Sequence, residues 1–82
     1  MKVYIVKWCN NEEWEDYSEG IEAVFATHEA AEQYILGRGY KKRLGKSHVE
    51  RILQRTCYDE KPNEYGEYYS MWIEEWEVSY DG

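Results

Sequence analysis

The segment Lys2 to Cys9, K-V-Y-I-V-K-W-C, is apolar on both of its faces. Its β-branched and aromatic residues mark a strand. Side chains alternate along a strand, so Val3, Ile5 and Lys7 share one side while Tyr4, Val6 and Trp8 share the other. A strand that is apolar on both sides belongs at the centre of a sheet, with cover above and below. The chain has 82 residues, enough for one domain spanning 1–82. A domain this small buries only about 60% of its unfolded surface, so each large side chain counts. Aromatic residues make up 17% of the chain, with four Trp, nine Tyr and one Phe. Each can bury roughly 150–250 Å², which offsets a shortage of aliphatic residues, although Trp and Tyr equally suit an exposed interface.

The remaining pattern supplies partners for that strand. Asn10 to Gly20 is an acidic turn or loop. Ile21 to Ala26 is a second strand, hairpin-paired with the first. Thr27 is a good N-cap for a helix from His28 to about Arg38, with Glu29 in its first turn. Ala30, Ala31, Tyr34 and Ile35 form its apolar stripe, and Gly37 and Gly39 stop it. Tyr40 to Lys46 is a basic connector. Ser47 and Glu50 match a capping box, and Val49, Ile52 and Leu53 fall at helical spacing, so the pattern predicts a second helix over about His48 to Thr56. Asp59 to Glu67, with the single proline Pro62, is a loop. Tyr68 to Tyr80 is the last strand, with Trp72, Trp76, Val78 and Tyr80 on one face and Met71 and Ile73 on the other. The order β-β-α-α-β predicts an α+β domain: a small antiparallel three-stranded sheet with two short helices on one face.

The opening K-V-Y-I-V, the block I-E-A-V-F-A-T-H-E-A-A-E-Q-Y-I and the closing I-E-E-W-E-V resemble a group of small bacterial and bacteriophage proteins of unassigned function. Those proteins share a β-β-α-β core, and the resemblance covers about half of the chain. It implies the same core and a bacterial or phage origin, and brings no catalytic residues. Residues 37–66 depart from it as an enlarged helix-to-strand connection. Function grafted onto a common scaffold often sits in such a loop.

Charge singles out the same region. Seven of the ten Lys and Arg residues lie between Gly37 and Arg55 with one acid, Glu50, for +6; the rest of the chain carries three Lys against sixteen acids, for −13. The formal net charge of −7 therefore hides a bipolar molecule. Like charges held close cost free energy unless a partner offsets them. The expected ligand is phosphate-bearing, such as a nucleotide signal, held by Arg38, Tyr40, Lys41, Lys42, Arg43, Lys46, Ser47, His48, Arg51 and Arg55. Arg forks match phosphate geometry, and Tyr40 would stack on a base. The bland reading has the arginines paired with the chain's own acids and Tyr40 capping the core edge. An alternative function uses the opposite pole. Glu12, Glu13, Trp14, Glu15 and Asp16 would dock on a basic groove of a host nucleic-acid-handling or defence enzyme and inhibit it. A third possibility is that this acidic loop meets the basic cluster of another copy, giving a homo-oligomer.

Other classes fit poorly. Gly39 to Ser47 nearly spells a P-loop, but five residues rather than four separate its glycines and it follows a helix instead of a strand. Cys9, Cys57, His28 and His48 lack metal-ligand spacing, and no cofactor is implied. Net charge disfavours duplex DNA. No stretch approaches the ~20 apolar residues of a membrane span, and no signal peptide is legible. The two cysteines are expected to be reduced in a cytoplasm, that of the host if the chain is phage-encoded. The expectation is a non-enzymatic accessory or anti-defence factor that sequesters a ligand or inhibits a partner.

Overall fold

The computed structural model describes residues 1–45 and 48–79, without the side chain of Val49. Its elements are β1 (Lys2–Cys9), a 3-10 turn (Trp14–Asp16), β2 (Glu19–Phe25), α1 (His28–Gly37), β3 (Lys41–Lys42), α2 (His48–Leu53), β4 (Cys57–Asp59) and β5 (Ser70–Glu77). The strands form one antiparallel sheet of five, in the order β2-β1-β5-β4-β3. As its two-sided apolar pattern requires, β1 is interior, flanked by β2 and β5.

The expected three-stranded sheet is thus corrected to five strands. The two extra strands have two and three residues, too short to show an alternating pattern. They form because the connector doubles back: Lys41 pairs with Asp59 and Lys42 with Tyr58, and Arg43 N–H donates to the Cys57 carbonyl at 2.9 Å. The expected second helix is likewise shortened to six residues. It ends where Gln54 turns to φ 52° and Arg55 N–H donates back to the Glu50 carbonyl at 3.2 Å.

The two faces of the sheet are covered differently. Tyr4, Val6 and Trp8 of β1 lie on the α1 side with Ala23, Phe25, Met71, Ile73 and Tyr58. Ala31 and Ile35 of α1 press into this layer and are buried. Thr27 caps the helix, its Oγ1 accepting from Ala30 N–H at 3.1 Å. Tyr40 closes the same core and is buried. A bulge between Val6 and Lys7 leaves Glu22 outside the regular pairing with β1. Its carboxylate accepts from Tyr34 Oη and Arg38 Nη1, both at 2.8 Å, which ties β2 to the end of α1.

The opposite face carries a smaller cluster of Cys9, Cys57 and Trp72. Arg43, Glu50 and Arg55 lie over this face, against Ser70, Asp59 and Trp72. The second helix therefore belongs to the face opposite α1, and the expectation of two helices on one face is corrected here too. Among the described side chains of α2, Glu50 is buried, at 3% exposure, while Ile52 and Leu53, two of the three residues of the expected apolar side, stay open to solvent. The Arg43 guanidinium donates to Glu50, so the buried carboxylate is paired rather than left as an uncompensated charge.

Candidate functional site

The ten residues of the expected phosphate site do not form one patch. Lys46 and Ser47 lie outside the described residues. Tyr40 is core, so its ring is withheld from stacking on a ligand. Arg38 is spent on Glu22 and lies over the Tyr34 ring, 5.8 Å from the centroid.

Arg43 is spent more completely. Its Nε and Nη2 make a fork on Asp59 at 2.9 and 2.7 Å, Nη2 also reaches Ser70 Oγ at 3.2 Å, and Nη1 binds Glu50. The hydrogen bonds to Asp59 push the Arg43 pKa further up, so this charge is fixed. Burial alone would raise Asp59, but the bonds from Arg43 and Ser70 outweigh it and hold the carboxyl below its ordinary value.

Arg55 lies over Trp72, its Cζ 4.1 Å from the ring centroid, and its Nε is buried without a hydrogen-bond partner among the described residues. That is cation–π packing on a core ring. A recess of about 290 Å³ joins Arg43 and Arg55 to Cys9, Cys57, Ser70 and Trp72. Glu12 and Glu50 also line it, so its charge is balanced and it does not select for anions. The remaining members, Lys41, Lys42, His48 and Arg51, are exposed, and no ion pair of these four is seen among the described residues.

A cleft of about 650 Å³ opens where β4 ends. Because β4 pairs only with Ser70 to Trp72, β5 runs on from Ile73 without a strand on that side. Tyr4, His28, Tyr58, Arg55, Glu75 and Trp76 are among its walls. Sequence reading missed this cleft, since it exists only through the short reach of a strand that has no periodic signal.

The acidic pole is organised differently. Glu12, Glu13, Glu15 and Asp16 are all exposed. Between them Trp14 is 91% exposed, at φ 54°. A bulky residue in the left-handed region is rare and costs about 1–2 kcal/mol. The loop that imposes this is well tied. Asn10 N–H donates to the Ser18 carbonyl at 3.1 Å, and Asn10 Oδ1 accepts from Glu12 N–H at 3.1 Å and Ser18 N–H at 3.0 Å. Asn10 Nδ2 donates to the Asp16 carbonyl at 2.7 Å. Asn11, itself at φ 58°, donates to the Tyr68 carbonyl and to Ser70 Oγ, both at 2.9 Å, which pins the loop to β5. Tyr17 N–H closes the 3-10 turn on the Trp14 carbonyl at 3.1 Å. All five residues expected in the alternative site are thus held in one presented turn. The signal for it was the pair of asparagines, which favour local side-chain bonds and left-handed turns.

Among the described residues no helix is long and apolar enough to cross a membrane, and no group of three or more His, Cys, Asp and Glu is placed to hold a metal ion. Comparison with protein-family models, with curated proteins and with solved structures gives no match to this chain.

Proposed function

We propose that this chain is a non-enzymatic binding protein that docks on a basic protein surface through the loop Asn10 to Ser18. The observation that carries the reading is Trp14, an indole 91% exposed on a left-handed residue in a loop tied by Asn10 and Asn11. Trp is the commonest kind of interface anchor, and strained residues persist where function uses them. Four carboxylates around it supply charge complementarity, which speeds encounter and selects partners. The ring enters an apolar pocket while the acids meet Lys or Arg around its rim. A nucleic-acid-handling or defence enzyme of a bacterium offers such a groove, and docking there would block it.

The test is capture from bacterial lysate on the immobilised wild-type chain, on Trp14→Ala, and on a chain with Glu12, Glu13, Glu15 and Asp16 changed to their amides. A basic protein retained at low salt by the wild type and lost from both variants supports the reading. Equal retention on all three surfaces overturns it.

A second reading keeps the phosphate-bearing ligand, because Lys41, Lys42, His48 and Arg51 are exposed and no ion pair of theirs is seen among the described residues. A nucleotide at 100 times its Kd should stabilise the chain by about 2.7 kcal/mol. A nucleotide-induced thermal shift abolished by Lys41→Glu with Arg51→Glu supports this reading, and no shift with any nucleotide removes it.

A further inference from the structure

The face of the sheet opposite α1 is covered at one end only. Arg43, α2 and Arg55 shield Cys57, Ser70 and Trp72. Beyond them Val3 lies opposite Trp76, Ile5 opposite Val24 and Lys7 opposite Ile21, so these side chains form one continuous strip across β5, β1 and β2. Among the described residues nothing covers it: Ile21 is 62% exposed, Val24 55% and Trp76 53%.

The polar groups within the strip are already satisfied. Glu74 accepts from the indole Nε1 of Trp72 at 2.9 Å and of Trp76 at 3.0 Å, and lies 3.7 Å from Lys7 Nζ. The strip is therefore electrically neutral on a chain of net charge −7. A basic partner has no reason to choose it over the acidic loop. An identical neutral strip suits it, since no like charges then meet across the contact.

Area points the same way. A monomer of 9.9 kDa is expected to expose about 5,200 Å². This chain exposes 6343 Å². The excess, about 1,100 Å², covers the ~800 Å² per partner of a standard stable interface.

We infer that this strip is the two-fold interface of a homodimer, in which two copies stack their sheets face to face. Stacked sheets lie about 10 Å apart, so side chains of Val3, Ile5, Ile21, Val24 and Trp76 interdigitate with those of the second copy. The contact is self-complementary and closes after two subunits. It leaves the Trp14 loop out of the interface.

Sedimentation equilibrium of the full chain, at about 50 and about 500 mM salt, tests this. The wild type is expected at twice 9.9 kDa at both salts. Val24→Arg and Ile21→Lys are expected to sediment as monomers with the circular dichroism of the wild type, because both positions are open to solvent in the single chain. Dilution of the wild type gives a readout that needs no variant, with the tryptophan emission shifting to the red as Trp76 re-enters water. Wild type that is monomeric at every concentration overturns the inference. So does a dimer that survives both substitutions. A dimer dissolved by salt or by Trp14→Ala also overturns it, and would place the acidic loop against the basic connector instead. Trp14→Ala is expected to leave the dimer intact, so loss of partner capture and loss of the dimer are read separately.

Discussion

Arg43 fastens three separate parts of the chain, Asp59 in β4, Glu50 in α2 and Ser70 in β5. Its charge was legible in the sequence; its inward direction was not, because nothing local pairs a residue with one sixteen positions away. Asp59 is the partner with a testable titration. Its folded pKa is lowered, so the stabilisation is present above the unfolded value near 4 and is lost as pH falls through the folded value. Asp59→Asn should cost about 2 kcal/mol at neutral pH, and that difference should shrink below about pH 4. Urea unfolding of both proteins between neutral and acid pH checks it; a gap that stays constant to low pH would refute the coupling. Trp14 behaves in the opposite way. Its side chain contributes nothing to the core and its backbone is strained. Trp14→Gly should leave unfolding stability unchanged or higher, while partner capture disappears. A loss beyond about 0.5 kcal/mol would mean that the indole supports the fold after all.

At the scale of elements, legibility followed length. The long elements gave periodic signals: β1 and α1 formed close to their expected spans, while the last strand, expected over Tyr68 to Tyr80, is the shorter Ser70–Glu77, with Tyr80 outside the described residues. The two- and three-residue strands gave none. Ile52 and Leu53 gave a helical signal that misled, since both stay exposed in α2 while Glu50 is buried. The basic connector was read as an enlarged loop free to bind; the structure uses part of it as a sheet edge. One close approach between elements is sensitive to a single methyl group. A Cβ on Gly20 would lie 2.9 Å from Trp8 Nε1, and the Trp8 ring is itself set edge-on against Tyr69 with centroids 5.8 Å apart. Gly20→Ala must move that ring, and should destabilise by about 1–3 kcal/mol in denaturant unfolding. An unchanged midpoint would show that Trp8 swings away freely. The order of elements also fixes the cysteines. Cys9 and Cys57 sit on strands separated by β5, so their Cα atoms are about 10 Å apart, beyond the ~7 Å limit for a disulfide. Burial pushes the Cys57 thiol up against the pull of Arg43 and Arg55, so it should label slowly with iodoacetamide in the native state and quickly once unfolded. Fast native labelling would contradict its burial.

The whole molecule is asymmetric in two independent ways, in charge and in sheet cover. The charge asymmetry was visible in the sequence, and so was the two-sided apolar pattern of β1. What the sequence lacked was the location of α2, which decides how much of the second face remains bare. If that bare strip joins two copies, association is linked to folding, and the unfolding midpoint must depend on concentration. Each tenfold rise adds about 1.4 kcal/mol per dimer, or about 0.7 kcal/mol per chain. For a domain of this length that corresponds to a rise in Tm of about 3–5 °C. Val24→Arg, which places a charge on the strip, should remove the concentration dependence while keeping a cooperative transition at the monomer's Tm. A wild-type Tm that stays fixed across two decades of concentration would mean that the strip remains in water. The exposed side chains of Ile21, Val24 and Trp76 would then contribute nothing to stability, and the small core around Val6, Ile35 and Met71 would have to hold the fold by itself.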